Sequence, residues 1–146
     1  MFKKITGLLL ATGILTLTAQ TALADRYERQ VIRQLREAER QLGREGFRAT
    51  HDFFTDKIYN GRTDTYRITL EGGQEYMIVS FCDSDCDDVD LYLYNNNGDL
   101  IDEDVELDDY PIVSASPKGR SRYQVEIAIP GCNAGRCTVG IGIFGR

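Results

Sequence analysis

An acidic segment in the middle of the chain is the first feature whose residue types could do chemistry. Residues 68–117 hold 14 acidic side chains and no lysine or arginine, in a chain whose net charge is −6. Calcium takes several oxygen ligands at once, so carboxylates spaced this closely are suited to sharing an ion. The sequence therefore predicts a loop-built calcium site. Its ligands are Asp83, Asp85, Asp87 and Asp88, joined by carboxylates of the loop at 102–109.

The spacing of these carboxylates excludes the EF-hand pattern. A calcium loop that started at Asp83 would place Asp88 where glycine is required and Tyr94 where a bidentate glutamate is required. The alternative to a calcium site is a solvated acidic rim, which keeps a secreted protein soluble and protects exposed strand edges. The sequence leaves both alternatives open.

The cysteines are the second group of reactive side chains. The chain has four of them, Cys82, Cys86, Cys132 and Cys137. An even number in an exported protein indicates disulfides, and we favour Cys82–Cys86 and Cys132–Cys137 because each pair brackets a short polar loop. A cross-link between the two loops is the alternative if they lie at the same end of the fold. A zinc site is disfavoured by the cysteine spacings and by the distance in sequence to His51, the single histidine.

No pattern in the sequence indicates catalysis. A hydrolase triad needs a base beside its nucleophile, and His51 is the only histidine available, with no nucleophile-elbow glycines around any serine. The phosphate-binding, dinucleotide-binding and H-E-x-x-H motifs are missing. No carboxylate pair stands out for glycoside chemistry, and the chain has no tryptophan to form a sugar platform. We predict no catalytic residues, with a small hydrolase that uses His51 as the remaining alternative.

The first 24 residues carry an export signal. Lys3 and Lys4 precede an apolar run from Leu8 to Leu17, and an A-x-A cleavage signal follows at 22–24. This order is typical of a cleaved signal peptide, so we expect a periplasmic or secreted protein. No other stretch approaches the ~20 apolar residues that a membrane span needs. The acidic charge balance also disfavours a nucleic-acid partner.

Helical spacing of apolar residues predicts an amphipathic helix over residues 25–46. Asp25 is its predicted N-cap, and Gly43 or Gly46 its predicted end. One interpretation is that the apolar stripe packs on the rest of the domain. The other is that the arginines engage an acidic partner or a membrane surface, although four glutamates are interleaved with the six arginines. The stripe consists of Tyr27, Val31, Leu35, Ala38 and Leu42.

From residue 47 onward the apolar period becomes two, which predicts short antiparallel strands. Strands are expected at 65–70, at 76–81 in a central position, at 89–94, at 123–129 and at 139–143, with short return strands that begin at Leu100 and Pro111. Glycines at 140 and 142 are expected to allow close approach of another backbone or of an aromatic ring. These strands predict a mainly β fold, an antiparallel sandwich with one N-terminal helix.

Tyr92 and Tyr94 alternate with Leu91 and Leu93, so they are predicted on the strand face opposite the core. We predict that these two tyrosines contact a protein or polymer ligand. The alternative is that they pack within the second sheet or under the helix.

The chain from residue 66 to residue 145 resembles the bacterial pre-peptidase C-terminal domain. The most specific part is the block D-x-D-L-Y-L-Y at 88–94, followed by N-G-D-L-I at 97–101. The resemblance implies a jelly-roll-like β-sandwich, here over residues 47–146, of a kind attached to exported enzymes that assists secretion, folding or substrate binding. It also implies calcium stabilisation, as in some collagen-binding relatives. An Arg-rich helix precedes the domain in place of a peptidase.

These observations together predict an exported, non-catalytic accessory domain that binds a ligand or a protein. Calcium that orders its acidic loops is one of the two alternatives for the acidic segment. The alternative is a structural or chaperone-like exported protein whose Arg-rich helix engages an acidic partner.

Overall fold

A computed structural model describes residues 17–146, with side chains from residue 26 onward. Residues 1–16, and with them most of the predicted signal peptide, lie outside the described residues. A single helix, α1 (Leu17–Arg44), precedes nine strands within the described part of the chain. The strands are β1 (Arg48–Ala49), β2 (Phe54–Tyr59), β3 (Thr63–Leu70), β4 (Tyr76–Cys82), β5 (Cys86–Asn95), β6 (Leu100–Asp104), β7 (Ile112–Ala115), β8 (Ser121–Cys132) and β9 (Arg136–Gly145).

The strands form two antiparallel sheets that pack face to face. In the first sheet the order is β1–β9–β4–β7, and β2 pairs with β9 as well. In the second sheet the order is β3–β8–β5–β6. The inward-facing side chains of both sheets form one buried core, which includes Ile78, Leu91, Ile127 and Ile141. The predicted fold class, a mainly β antiparallel sandwich with one N-terminal helix, is confirmed, as is the central position of β4.

Helix α1 packs its apolar stripe on the outer face of the first sheet. Val31 and Leu35 are 0% exposed. They lie on β9, where a Cβ atom added to Gly140 would meet Val31 Cγ1 at 2.3 Å. A Cβ at Gly142 would meet the ring of Phe144 at 2.8 Å. The packing interpretation of the helix is therefore confirmed, and so is the prediction that these glycines allow close approach.

The two ends of the helix differ in how well the sequence predicts them. Gly46 ends it with φ 92°, and Phe47 N–H donates to the Leu42 carbonyl at 3.1 Å, a Schellman arrangement. The predicted cap at Asp25 is wrong, because the helix begins at Leu17. Residues 17–24 include three alanines and two leucines, which continue a helix readily.

The sequence does not predict strand β2, which pairs with β9 along its whole length. Ile58 is the only fully buried residue of this strand. Asp56 and Lys57 interrupt the apolar alternation that identifies the other strands. Since β2 lies at the edge of the sheet, it needs few buried side chains, and it therefore leaves a weak signal in the sequence.

Two aspartates of β6 close one side of the sandwich. Asp104 Oδ2 accepts a hydrogen bond from Ile112 N–H at 2.9 Å, and Asp102 Oδ2 accepts one from Ser114 N–H at 2.7 Å. Both donors belong to β7, the edge strand of the first sheet. The carboxylates thus cap backbone groups that an open edge would offer to another chain. This part of the acidic segment has the edge-protecting role that the rim alternative predicts.

We expect the double substitution D102A/D104A to lower the free energy of unfolding by about 2 kcal/mol, since the charge-assisted hydrogen bonds that these carboxylates accept from Ile112 and Ser114 of β7 are lost at a half-exposed edge. The uncapped edge should also promote self-association at high protein concentration. Urea denaturation and size-exclusion chromatography measure the two effects. D109A is the matched control, because Asp109 accepts no hydrogen bond among the described residues. Equal losses in the double variant and in D109A would contradict a capping role.

Candidate functional site

The second sheet leaves an outer face that α1 does not cover, because α1 packs on the strands of the first sheet. Tyr92 and Tyr94 lie two residues apart on this face, in the C-terminal half of β5, which is an inner strand of the sheet. Tyr92 is paired across the sheet with Glu103 and Glu126, and Tyr94 with Gln124. The residues that share this face are named here the tyrosine face. They are Thr65, Arg67 and Thr69 of β3, Tyr92 and Tyr94 of β5, Glu103 of β6, and Arg122, Gln124 and Glu126 of β8.

Both tyrosines are half-buried by their neighbours within the sheet. Tyr92 Oη lies 3.5 Å from Asp90 Oδ2, at the limit of a hydrogen bond. Partial burial, followed by the Asp90 carboxylate, raises the pKa of Tyr92. Partial burial, followed by Glu126, raises the pKa of Tyr94. Both phenols therefore stay protonated at neutral pH and remain available as hydrogen-bond donors.

Charge is divided between the two ends of the tyrosine face. Glu103 and Glu126 flank Tyr92 at one end. Arg67 and Arg122 lie at the other end on adjacent strands, where Arg67 pairs with Gln124 in the β3–β8 register. Neither arginine has an ion-pair partner among the residues that the structure describes. Two exposed guanidinium groups without a carboxylate partner are a suitable place for an anionic group of a ligand.

A cleft of about 420 Å³ opens at the arginine end, lined by both arginines, Gln124 and the turn at 95–98. Asn95 holds that turn in shape, since its Oδ1 accepts hydrogen bonds from Asn97 N–H at 2.9 Å and from Asp99 N–H at 3.0 Å. The sequence does not single out Arg67 or Arg122 as site residues. Strand alternation places each of them on a solvent face, but only the register of three strands brings them beside Tyr94.

The two predicted disulfides, Cys82–Cys86 and Cys132–Cys137, are confirmed. Cys86 and Cys132 are direct partners across β5 and β8, and the sulfurs of Cys82, Cys86 and Cys137 lie within 4.8 Å of one another. The two cysteine loops therefore do lie at one end of the fold, yet each disulfide closes its own loop. The sulfur atoms that would hold a metal here are used in these bonds.

Asp83, the first predicted calcium ligand, is a buried structural residue with 2% exposure. Its Oδ2 accepts a hydrogen bond from Thr138 N–H at 2.5 Å, and its Oδ1 accepts one from Asp85 N–H at 3.0 Å. These bonds tie the loop after β4 to strand β9. Each carboxylate oxygen of Asp83 thus already serves a backbone donor.

Of the other three predicted calcium ligands, two have separate partners and one has a buried oxygen atom without a partner among the described residues. Asp87 accepts a hydrogen bond from Asn133 Nδ2 at 2.7 Å. Asp85 accepts one from the Tyr27 hydroxyl, which raises the pKa of that tyrosine. Asp88 Oδ1 is buried and has no donor among the described residues. Within residues 26–146 no three carboxylates bring oxygens within 4.8 Å of one another, so the calcium site stays a prediction.

Removing the charge of Asp88, in β5, should stabilise the protein at neutral pH. Burial, then the Asp108 carboxylate, raises the pKa of Asp88. A carboxyl group whose pKa is raised by folding destabilises the fold when it is ionised, and this penalty disappears as the pH falls to the unfolded-state value near about 4. We expect D88N to raise Tm by roughly 2–4 °C at pH 7 and to have no effect below about pH 4. Thermal melts over a pH series measure this difference.

D52N is the matched control for that prediction, because Asp52 is exposed and accepts no hydrogen bond within the described residues. A gain in D88N that does not depend on pH would contradict an electrostatic cause. So would an equal gain in D52N.

His51 has both ring nitrogens in contact with polar groups of the fold. Nε2 donates to the Thr69 carbonyl oxygen at 3.1 Å, and Nδ1 lies 2.9 Å from Thr50 Oγ1. A general base needs a nitrogen that faces a nucleophile in an open site. The Nε2 hydrogen bond instead joins the segment before β2 to the end of β3, and the Thr50 hydroxyl beside Nδ1 donates to the Ile143 carbonyl oxygen at 3.3 Å.

The exposed faces of α1 carry the arginines of the alternative hypothesis. Arg36 lies over the Phe53 ring at 4.8 Å and pairs with Glu39 at 2.9 Å. Arg40 pairs with Glu37. These ion pairs neutralise part of the positive charge within the helix itself. Engagement of an acidic partner by the helix stays a prediction.

No protein-family model matches the sequence, and no curated protein matches it. Two solved structures are similar to the fold. One is the pre-peptidase C-terminal domain of collagenase from Bacillus anthracis, with 12% sequence identity, a TM-score of 0.47, and coverage of 63% of this chain and 87% of that chain. The other is Aeromonas hydrophila PliG, a periplasmic lysozyme inhibitor of g-type lysozyme, with 7% identity, a TM-score of 0.48, and coverage of 67% and 88%.

The name of the collagenase domain is that of the same kind of domain that the sequence resembles. Among residues 17–146, no helix has the length and hydropathy that crossing a membrane would require.

Proposed function

We propose that this chain is an exported, non-catalytic β-sandwich that binds a protein or polymer partner through the tyrosine face. One observation carries the proposal: the outer face of the second sheet is uncovered, and it combines two central tyrosines with two arginines that have no carboxylate partner. Two disulfides with no free cysteine among the described residues support an oxidising compartment.

The tyrosines suit a binding surface because of how they are held. A tyrosine offers a large rigid ring and a polar hydroxyl at a small loss of conformational entropy. Here the rings are already ordered by their neighbours in the sheet. A partner would therefore gain contact area without paying much to order these side chains.

The opposite charges at the two ends of the tyrosine face would fix the orientation of a bound partner. A partner that presents an acidic group to Arg67 and Arg122, and a donor or cation to Glu103 and Glu126, would be held in one orientation. Electrostatic complementarity of this kind mainly controls specificity and association rate. Arginine and tyrosine are also the residue types most enriched at protein interfaces.

The test is retention of envelope or secreted material on the immobilised protein. We expect Y92A/Y94A and R67E/R122E each to reduce retention by about 10-fold or more, since central aromatic and arginine residues dominate binding energy. Y59A is the matched control, because Tyr59 is an exposed tyrosine, 61% accessible, on the opposite sheet. Melting curves show whether each variant is folded.

Unchanged retention by both folded variants would contradict the proposal. R67E/R122E is informative even if the tyrosine variant is unstable, because both arginines are exposed. A measured hydrolytic activity that H51A abolished would contradict the non-catalytic part.

Calcium stabilisation of the acidic loops is a separate part of the proposal. Thermal melts in chelator, then in millimolar calcium, with magnesium as the control, decide it. A rise in Tm specific to calcium would support a site that forms when the loop carboxylates move together. An unchanged Tm would mean that these carboxylates serve only in their backbone hydrogen bonds and in the acidic rim.

A further inference from the structure

An apolar trough runs along one side of helix α1. A helix is about 10 Å wide, and neighbouring strands are about 4.8 Å apart, so one helix covers about two strands. Since α1 is seated over β9 at Gly140 and Gly142, the outer side chains near β7 stay uncovered. The resulting trough has a volume of about 490 Å³. Its lining is Gln34, Glu37, Ala38, Gln41, Leu42, Glu45, Met77, Val79, Phe81, Tyr110 and Ile112.

The floor of the trough is apolar and partly open to solvent. Met77, Val79 and Phe81 form it from β4. Tyr110 and Ile112 form its far wall and are 54% and 42% exposed. Large exposed apolar side chains gathered in one groove mark an interaction surface more often than scattered ones do.

The rim of the trough is acidic on both sides. Helix α1 presents Glu37 and Glu45 to it, and no lysine or arginine lines it. Arg40 pairs with Glu37 but is not part of the lining. On the other side, the loop at 105–111 adds three acidic residues and no basic one. The charge that complements this rim is positive.

Two further features of the trough bear on what kind of segment could bind in it. The β7 edge is closed to an added strand, because Asp104 and Asp102 already accept from Ile112 N–H and Ser114 N–H. Gln34 Oε1 is buried at the trough and lacks a donor among the described residues. Helices pack at 8–10 Å from each other, so a second helix beside α1 would lie over β7 and the part of β4 that α1 leaves open. An amphipathic helix fits these limits better than a strand does.

We propose that this trough binds a cationic amphipathic helix of a partner protein, which lies beside α1 on β4 and β7. Its apolar stripe would cover Met77, Phe81 and Ile112. Its lysine or arginine side chains would reach Glu37 and Glu45. This surface is separate from the tyrosine face, so the two proposals can fail independently.

The probe is a synthetic helical peptide of about 15 residues, the length that spans β4, with leucine on one face and lysine elsewhere. Binding to the full chain is measured by fluorescence anisotropy of the labelled peptide. We expect I112S and E37K/E45K each to weaken binding by about 10-fold or more. A peptide of the same composition, with its leucines spread around the helix, should bind at least about 10-fold more weakly to the wild type.

Each matched control makes the same kind of substitution at a position outside the trough. L100S removes an apolar side chain of similar exposure, 47%, from the other sheet. D52K/E71K makes the same change in net charge at exposed positions away from the trough. Both should bind the peptide within about 2-fold of the wild type, in the range expected for surface substitutions.

Three outcomes would overturn the proposal. Equal loss of binding in D52K/E71K would mean that the peptide only senses net charge. A dimer that I112S disperses in sedimentation velocity would make a second copy the occupant. Peptide binding that appears only when residues 1–16 are removed would make that segment the occupant.

Discussion

Replacing Asp83 by alanine is expected to lower the free energy of unfolding by about 3–5 kcal/mol, because two hydrogen bonds to a charged acceptor are lost at a buried site. The carboxylate is 2% exposed and accepts from Thr138 N–H and from Asp85 N–H. In the variant the buried Thr138 N–H would have neither water nor protein to bond with. Urea denaturation of oxidised protein measures the loss.

D87A is the matched control for this prediction. Asp87 lies in the same acidic run but is exposed, and its one side-chain contact is with Asn133. We expect D87A to change stability by about 0.5 kcal/mol or less, as is usual at the surface. The loss in D83A should be the same in chelator and in calcium. A loss that occurs only in calcium, or an equal loss in D87A, would contradict the structural role of Asp83.

Asp83 also shows what spacing along a sequence can and cannot reveal. The density of aspartates near residue 85 is visible in the sequence and suggests a metal site. The contact that uses Asp83 joins it to Thr138, 55 residues later. Nothing local to either residue predicts that pairing, since it depends on β4 and β9 being neighbours in the first sheet. The same limit applies to Asp102, whose partner is the backbone of Ser114 in the other sheet.

The elements themselves were more predictable than their contacts. Alternation of apolar and polar residues identifies β3, β5, β8 and β9, because one face of each strand packs in the core. The stripe of α1 is visible for the same reason. Strand β2 is the exception, with one fully buried residue and a register supplied by β9. Patterns that arise from burial can be recognised in a sequence, whereas pairing at an edge leaves almost no pattern.

The candidate site could be predicted from the sequence only in part. Alternation along β5 places Tyr92 and Tyr94 opposite Leu91 and Leu93, as observed. The sequence could not show whether a helix covers them. Helix α1 packs on the sheet whose outer face lets its backbone come close. On β9 the glycines at 140 and 142, which have no side chain, allow this approach. The exposure of the tyrosine face is therefore a consequence of where two glycines lie on the other sheet.

Gly140 accordingly provides the second large expected effect. In G140A the new Cβ would lie 2.3 Å from Val31 Cγ1 and 3.0 Å from Leu35 Cδ1. Valine is stiff at χ1 and Val31 is fully buried, so the helix itself must move away from the sheet. We expect a loss of about 2–3 kcal/mol in the free energy of unfolding, the range for an overpacked core. Denaturant melts measure it.

The location of this loss is as informative as its size. A helix that has lost its packing on the first sheet unfolds locally more often, which makes the peptide bonds after its arginines accessible to trypsin. G140A should therefore be cleaved within α1 much faster than the wild type, while the sandwich persists. G119A is the matched control, because a Cβ there would meet no atom within 4 Å. If G140A resists trypsin as well as G119A does, then α1 does not depend on close contact with β9. The uncovered state of the tyrosine face, and the trough beside the helix, would then need another explanation.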